Sequence, residues 1–371
     1  MPARSGATQD EIRRLNVSTL LRQVHVHGEL SRAELTTRMG LNRSTIKALV
    51  DELSDAGLVA ETIPETGLRA GRPSHLVGPR SDTAYVLAAN IGVDTVAVAA
   101  VGLGGVITAR ADYRLPGPGV SHEVVVDRLA DELRRLQAKV PAGAWLAGVG
   151  VGVPGAVRRS DGYVEFAPNV GWRGVPFGEL LAARLNTSVQ TSIGNDGELG
   201  GLAEHVRGAG RGISNLIYLA GEVGIGGGII ADGNIVTGAQ GFAGELGHMM
   251  LNPTGRHCRC GGRGCFETEV GEDAVLVACG REAGGGRAAL LEVFAAASHG
   301  EQRALDGLHD IALWVARGLA TLVNLLNPEA VILGGPLSSL FFLTGDLIKS
   351  ELHAMSIFAA RTHVQVLQPG L

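Results

Sequence analysis

Residues 145–155 read Trp145-Leu-Ala-Gly-Val-Gly-Val-Gly-Val-Pro154-Gly155, an apolar run that alternates with glycine and ends at a turn. The spacing of apolar residues just before it predicts a helix from Ser121 to Lys139. Further strands are predicted to start at Tyr85 and Ser214. Further helices are predicted over Ala288–Ser298 and Leu305–Leu326. Strands that alternate with helices in this way indicate an α/β architecture.

Composition limits the classes of protein to consider. The chain has 371 residues, of which 45% are hydrophobic and 19% are charged, so it is not mainly disordered and has room for two or three domains. Aromatic residues make up only 4%, which argues against RNA-binding modules that stack bases. The 55 glycines predict many tight turns and close backbone approaches, as in α/β proteins that hold small ligands.

The N-terminal residues, MPARSGATQDEIRR, are polar and lack the apolar segment of a signal peptide. The most apolar stretch, from Ala84 to Val101, is interrupted by Asn90 and Asp94, so it predicts strands rather than a membrane span. We therefore expect a cytoplasmic protein without a membrane partner.

Residues 1–80 differ from the rest of the chain. They carry 11 basic and 9 acidic side chains, against 21 and 28 in residues 81–371. Ser31 and Glu34 have the spacing of a capping box, and Asn42 can cap a helix that runs from Arg43 to Ala56. Two short apolar runs, Leu58–Thr62 and Leu76-Val77, flank a loop rich in glycine and arginine. Three helices followed by a two-stranded wing indicate a winged helix-turn-helix domain over residues 1–80.

This domain predicts double-stranded operator DNA as a partner. The candidate contacts are polar or basic residues at the start of the third helix and in the wing: Arg43, Ser44, Thr45, Lys47, Arg69 and Arg72. N-terminal residues of a recognition helix read the major groove, and wing arginines can reach phosphates or the minor groove. The alternative is a generic three-helix segment whose basic residues are simply solvated.

The clearest chemical pattern is His248-x9-Cys258-x-Cys260-x4-Cys265. Three thiolates and one imidazole are a typical ligand set for structural Zn²⁺. His257 is a competing ligand, although its place beside Cys258 would strain a shared site. A cluster of free thiols is the alternative, and the fourth cysteine of the chain lies in helical sequence and is predicted to be a buried apolar residue.

Two glycine-rich stretches could approach a phosphate. One surrounds Gly92, and the other runs from Gly221 to Gly228. Backbone amides in such turns bind anions, although ordinary hairpins use the same residues. Spacing alone leaves both interpretations open.

Carboxylates and amides form a further constellation. Asn195 and Asp196 follow Gly194 at a predicted strand end, Glu245 precedes His248 by three residues, and Glu267 lies two residues after the last cysteine of the metal pattern. A sugar needs several rigid acceptors aimed at its hydroxyls, and these side chains supply them. For any single acid, a solvated surface position is the alternative.

These residues together resemble the ROK family of repressors, open reading frames and kinases, and in particular its DNA-binding members. The resemblance covers nearly all of residues 81–340 and rests on pieces that occur in the family's order: Gly152-Val-Pro-Gly155, Ala167-Pro-Asn169, Gly171-Trp172, Gly194-Asn195-Asp196, Gly224-Ile-Gly-Gly-Gly228, Gly241-Phe-Ala-Gly-Glu245-Leu-Gly-His248, Cys258-Arg-Cys260-Gly-Gly-Arg-Gly-Cys265-Phe-Glu267 and Asn327-Pro-Glu-Ala-Val-Ile-Leu-Gly-Gly335.

The resemblance implies an actin-like fold of the sugar-kinase type, with a first α/β lobe over residues 81–193 and a second over residues 194–371. By position, the sugar in the cleft would contact Asn195, Asp196, Glu245, His248 and Glu267. The residue at Asp196 is the catalytic base in kinase members. The resemblance also implies structural Zn²⁺ on His248, Cys258, Cys260 and Cys265, and a homodimer or dimer of dimers.

Departures from the kinase pattern distinguish a regulator from an enzyme. Kinase members begin with a motif resembling Asp-x-Gly-Gly-Thr-Lys, where this chain has Asn90-Ile-Gly-Val-Asp94-Thr. Glu222-Val223 replaces the usual Gly-Thr of the second phosphate loop. Added acids and lost hydroxyls oppose phosphoryl transfer, which depends on neutralising charge. The sequence therefore predicts a sugar-responsive repressor rather than an enzyme. The alternatives are an ATP-dependent sugar kinase and a DNA-binding protein that takes no ligand.

Overall fold

The computed structural model describes residues 8–63, 74–117, 119–357 and 364–371. In the N-terminal part, helices and short strands follow one another as α1 (Gln9–His27), β1 (Leu30–Ser31), α2 (Arg32–Met39), α3 (Arg43–Asp55), β2 (Val59–Thr62) and β3 (Leu76–Pro79). This order is the one predicted for a winged helix-turn-helix.

Side-chain caps start the second and third helices of this domain. The hydroxyl of Ser31 accepts a hydrogen bond from the backbone of Glu34, and the Glu34 carboxylate accepts one in return, which confirms the capping box. The Oδ1 atom of Asn42 accepts from the backbone N–H of Thr45 at 2.8 Å. Gly40 ends α2 in the left-handed conformation, with φ of 64°.

The wing is larger than the sequence predicts. Strands β2 and β3 pair as expected, but β1 adds to the free edge of β3 through Leu30 and Ser31. A capping residue has an extended backbone, so the two residues before α2 can pair although their sequence carries no strand pattern. Two of the predicted DNA contacts, Arg69 and Arg72, lie outside the described residues.

The next elements build a mixed sheet with helices on it. In chain order they are β4 (Ala84–Ile91), β5 (Thr95–Gly102), a 3₁₀ turn (Leu103–Gly105), β6 (Ile107–Arg114), α4 (His122–Gln137), β7 (Trp145–Val153), β8 (Ala156–Arg158), β9 (Tyr163–Ala167), β10 (Trp172–Val175), α5 (Phe177–Leu185) and β11 (Thr191–Asn195). The sheet has the order β11-β7-β4-β5-β6, and β8 to β10 form a small antiparallel sheet beside it.

The remaining elements build a second mixed sheet. They are α6 (Asp196–Arg207), β12 (Leu216–Gly221), β13 (Ile225–Ala231), β14 (Asn234–Ile235), α7 (Phe266–Val270), α8 (Glu272–Ala278), α9 (Gly286–Ser298), α10 (Gln302–Leu326), β15 (Ala330–Gly334), α11 (Pro336–Met355) and β16 (Gln365–Leu367). The order of the strands is β14-β13-β12-β15-β16. Two α/β sheets with covering helices confirm the predicted fold class.

Buried side chains fall into separate clusters that follow this division. One joins α1 to α3 around Ile46, one lies between the first sheet and α4 around Leu129, and one surrounds Phe266 in the second sheet. The predicted limits at 80 and 193 stay predictions, and the second falls inside β11. Within the described ranges, no helix is both long and apolar enough to cross a membrane.

Candidate functional site

A cavity of about 400 Å³ lies between the two sheets, where β11 passes into α6. All the side chains predicted to contact a sugar line it: Asn195, Asp196, Glu245, His248 and Glu267. They come from positions up to 72 residues apart, so the fold brings together what the sequence keeps separate.

Asn195 sits at the last position of β11 and caps α6. Its Oδ1 atom accepts from the backbone N–H of Glu198 at 2.9 Å, and its Nδ2 donates to the carbonyl oxygen of Gly155 at 2.9 Å. Two bonds to the protein fix the amide, so the unused lone pair and N–H hold a defined direction.

Asp196 begins α6 and faces the cavity. Its Oδ1 accepts from the backbone N–H of Gly197 at 2.8 Å. Burial, together with the nearby carboxylate of Glu222, raises the pKa of Asp196 to about 6. A carboxyl group with such a pKa can hold or release a proton near neutral pH, as a general base requires.

Close backbone packing places α6 against the second sheet. A Cβ on Gly197 would lie 2.5 Å from the backbone nitrogen of Gly227, so this crossing needs glycine. Residues Gly226 to Gly228 therefore belong to β13 and to its contact with α6. The other glycine-rich stretch is a hairpin turn between β4 and β5, in which Gly92 donates to the carbonyl of Thr95 at 2.7 Å. In the structure, one glycine-rich stretch packs against α6 and the other forms a hairpin turn.

Glu267 is held by the turn that joins β12 to β13. Its Oε2 atom accepts from the backbone N–H of Ile225 at 3.2 Å. A side chain on Gly224 would overlap that carboxylate. Glycine at position 224 is thus the residue that lets Glu267 reach the cavity wall.

The four predicted metal ligands form one cluster. The ligand atoms of His248, Cys258, Cys260 and Cys265 all lie within 4.8 Å of one another. Cys258 Sγ is 3.6 Å from His248 Nδ1, and Cys260 Sγ is 3.7 Å from Cys265 Sγ. In tetrahedral zinc with Zn–S of about 2.3 Å and Zn–N of about 2.0 Å, neighbouring ligand atoms are about 3.5–3.8 Å apart. The donor set and its spacing fit that ion.

The competing histidine and the fourth cysteine lie outside this cluster. His257 does not belong to the cluster of ligand atoms found among the described residues. Cys279 is fully buried, and its thiol donates to the carbonyl of Ala304 at 3.5 Å. This agrees with its prediction as a small apolar residue.

His248 connects the metal cluster to the cavity. Its Nδ1 faces Cys258, and its Nε2 lies 3.9 Å from Oε2 of Glu245. On the same side, Cys258 Sγ lies 3.5 Å from Oε1 of Glu267. An ion bound to the cluster would therefore fix the ring of His248, through its Nδ1, and the sulfur of Cys258, which lie beside Glu245 and Glu267 respectively.

Sequence reasoning did not place Asn169 and Glu222 on the cavity wall. Asn169 was quoted only as part of a motif, and its Oδ1 accepts from Arg259 at 3.2 Å. Glu222 was considered only for its effect on phosphate, yet it lines the same cavity as Asp196. Burial raises the pKa of Glu222, Arg287 opposes that shift, and Asp94 adds to it. The strand-end position of Glu222 was the signal that could have placed it here.

The predicted DNA contacts in α3 lie together at its N-terminus. Arg43, Ser44 and Lys47 are exposed, whereas Thr45 is half-buried. The hydroxyls of Ser44 and Thr45 donate to the Asn42 cap, and Lys47 pairs with Asp51. Arg43 is thus the member of this group most available to a phosphate or a base.

Known proteins resemble the chain over most of its length. A model of the ROK family matches residues 86–368. A xylose repressor from Bacillus spizizenii is 28% identical over 347 residues, covering 93% of this chain and 88% of the relative. A glucokinase from Thermotoga maritima is 33% identical over 234 residues, covering 58% of this chain and 71% of the enzyme.

Solved structures share the fold. A ROK family transcriptional regulator, described as a homolog of the E. coli MLC protein, superposes with a TM-score of 0.79 over 97% of this chain and 92% of that one, at 23% identity. A ROK family glucokinase from Streptomyces griseus, in complex with glucose and AMPPNP, gives a TM-score of 0.65 over 77% of this chain and 95% of the enzyme, at 27% identity. These matches confirm the actin-like, two-lobed fold, and the family model covers well over half of the sequence, so the chain belongs to the ROK family.

Proposed function

We propose that this protein is a sugar-responsive transcriptional repressor that binds operator DNA through its winged helix and a sugar through the cavity between the sheets. The observation that carries the proposal is the joint presence of two things in one chain. The acceptors suited to a sugar converge on one cavity, and a winged helix-turn-helix precedes it. Relatives named xylose repressors, aligned over about nine-tenths of the chain, support this combination.

The ligand that we propose is a neutral sugar, and xylose is the first to test because of those relatives. A volume of about 400 Å³ is within the range of small-molecule sites. The proposed contacts are Asn195, Asp196, Glu245, His248 and Glu267. Carboxylates accept hydrogen bonds from hydroxyls, whereas they repel the phosphate of a sugar phosphate or a nucleotide.

We propose Zn²⁺ as the ion of the His/Cys cluster, held by His248, Cys258, Cys260 and Cys265. The bound ion would cross-link the segment between β14 and α7 and supply no chemistry to a reaction. His248 then presents its Nε2 side to Glu245 and the cavity in a fixed direction.

Repression would depend on two copies of the chain. A homodimer, or a dimer of dimers, would place two α3 helices in successive major grooves of a palindromic operator. Sugar would release the operator by favouring a closed arrangement of the lobes, because a ligand shifts an equilibrium only through unequal affinity for its two states. Arg43, Ser44, Thr45 and Lys47 are the proposed contacts in α3, with Arg69 and Arg72 in the wing.

The second candidate is an ATP-dependent sugar kinase. Asp196 favours it, since its raised pKa and its place in the cavity suit a base, and glucokinases are among the relatives. Three residues on the same cavity wall oppose it. Val93 and Val223 offer no hydroxyl to a phosphate, and Glu222 adds a negative charge that would repel one. We rank it below the repressor for that reason.

Thermal-shift titration of the zinc-loaded protein separates these functions. The panel contains xylose, glucose, N-acetylglucosamine, their phosphates and Mg-ATP, and Asp196→Asn serves as the cavity control. We expect one neutral sugar to raise Tm in the wild type and not in the variant, because binding to the native state stabilises it.

The other results have definite meanings. Stabilisation by Mg-ATP, with release of ADP in a coupled assay, would favour the kinase. A Tm that no sugar changes, combined with unaltered binding to an operator selected from random duplexes, would favour a constitutive DNA-binding protein.

A further inference from the structure

We infer that Arg207 is the positioning residue that couples the sugar cavity to the DNA-binding domain. It stands at the last position of α6, whose first residue, Asp196, lines the cavity. This inference rests on the proposed function and names the residue through which the regulation works.

Arg207 joins three parts of the chain at one point. Its Nη1 donates to the carbonyl oxygen of Gly104 at 2.7 Å, in the loop between β5 and β6 of the first sheet. Its Nη2 donates to the carbonyl oxygen of His25 at 2.9 Å, in the last turn of α1. Since α6 packs on the second sheet, a single guanidinium ties both sheets to the winged helix.

The charge of Arg207 suits its place. The carbonyl of His25 is among the last four of α1, which have no partner within the helix. A cation at this end also interacts favourably with the helix dipole. The His25 ring completes the junction, because its Nδ1 accepts from the backbone N–H of Gly104 at 3.1 Å. This hydrogen bond fixes the end of α1 against the loop between β5 and β6.

Two glycines make room for the junction. A Cβ on Gly105 would lie 2.5 Å from Cζ of Arg207, and a Cβ on Gly104 would lie 2.9 Å from Pro79 at the end of β3. Both glycines have φ of 79°, a backbone conformation that residues with a side chain rarely adopt. The loop therefore permits a close approach of Arg207 on one side and of the wing strand on the other.

Helix α6 can transmit a movement from the cavity to this junction. Its 12 residues span about 18 Å as a rigid rod. The cap by Asn195 and the close contact of Gly197 with β13 fix its cavity end. If a sugar changes the angle between the sheets, Gly104 moves relative to Arg207, and the guanidinium can keep its full set of bonds in only one of the two arrangements. The docking of the winged helix then depends on whether sugar is bound.

The test compares operator affinity with and without d-xylose. The proteins are the full-length wild type, Arg207→Ala, Arg207→Lys and Gly105→Ala, with Arg184→Ala as the matched control. Arg184 lies in the last turn of α5, pairs with Asp127 at 2.8 Å and is exposed, so Arg184→Ala removes the same charge away from the junction. The DNA is a duplex selected from a random pool by the wild type. The thermal shift caused by xylose is measured on every variant.

We expect xylose to change operator affinity of the wild type and Arg184→Ala about 5- to 150-fold, the usual range of allosteric coupling. In Arg207→Ala and Gly105→Ala the ratio should fall to about 2-fold or less, although xylose still raises Tm. Arg207→Lys, whose ammonium can serve one carbonyl but lacks the planar fork, should lie between them. A merely structural role would lower Tm and leave the ratio unchanged.

Either of two results would overturn the inference. A wild-type ratio retained in Arg207→Ala would show that the coupling runs elsewhere while the proposed function stands. A wild-type operator affinity that xylose leaves unchanged, although xylose raises Tm, would remove the coupling together with the proposed regulation by sugar.

Discussion

Individual side chains at the cavity serve both the fold and the ligand. Asn195 caps a helix and bonds Gly155, and the same amide faces the cavity. Glu267 holds a turn through Ile225, and its other oxygen lies beside Cys258. Because these groups are already hydrogen-bonded, they are fixed in place before a sugar arrives, which reduces the entropy that binding costs.

Asp196 should make stability depend on pH. Its folded pKa, about 6, is above its ordinary value of 3.8. The folded state therefore binds more protons than the unfolded state between these values, and the stability that the neutral acid gives is lost as the pH rises through 6. We expect Asp196→Asn, which cannot ionise, to raise Tm by about 2–4 °C at pH 8 and by about half as much at pH 5, which lies midway between the unfolded and folded pKa values.

Thermal unfolding in sugar-free buffer at the two pH values measures this effect. Asp310→Asn, an exposed carboxylate on α10, is the control and should change Tm equally at both. A Tm difference for Asp196→Asn that does not grow between pH 5 and pH 8 would contradict the assignment.

Substitution of a single ligand of the metal cluster should cause the protein to lose its zinc. Cys260→Ser should reduce the zinc content from about one ion per chain to a small fraction, because structural zinc needs its four ligands. Cys279→Ala should keep its zinc, since Cys279 lies outside the cluster. Elemental analysis after dialysis against a weak chelator gives the content. Retention of a full ion by Cys260→Ser would show that this cysteine is not a ligand.

At the scale of elements, α3 depends on a cap made by a single side chain. Asn42 Oδ1 accepts from the backbone of Thr45 and from the hydroxyls of Ser44 and Thr45. The cap therefore stabilises the helix and also fixes the two hydroxyls that we propose to face DNA. The two functions share one oxygen atom.

Removal of this cap should weaken both functions. We expect Asn42→Ala to destabilise α3 by about 1 kcal/mol and to lower operator affinity. Hydrogen exchange in the first turn of α3 and fluorescence anisotropy with the selected duplex are the measurements. Asn42→Ser, which keeps a capping oxygen, is the control. Unchanged exchange in Asn42→Ala would show that another group caps the helix.

For the whole molecule, the arrangement of the cores suggests which parts move. Each sheet has its own buried cluster, and the cavity lies between them, so the lobes can rotate without unpacking either core. The winged helix has a third cluster and meets both sheets at Arg207. A change of lobe angle is therefore a motion that leaves all three buried clusters packed.

Closure should be visible in solution. We expect the sugar identified by thermal shift to decrease the radius of gyration measured by small-angle X-ray scattering, since the sheets approach around the ligand. Asp196→Asn, mixed with the same sugar, should show no decrease. An unchanged radius in the wild type at saturating sugar would argue against lobe closure as the signal.

The sequence by itself determined the main helices and strands and the types of side chain at the site. Capping residues at Ser31 and Asn42, the alternation of strands and helices, and the His/Cys spacing are local patterns, because caps and metal loops depend on neighbours within a few residues. The resemblance to the ROK family then supplied the site residues. Local patterns did not predict β1, the strand that adds to the edge of the wing, because its two residues are too few to show an alternating pattern.

Only the tertiary structure decided how these parts meet. It placed Glu222 beside Asp196, assigned Gly226–Gly228 to helix packing, and joined His25, Gly104 and Arg207 at one point. These contacts link residues up to 182 positions apart. Their geometry depends on sheet order and on the packing of α6, and neither is written in the spacing of residues along the chain.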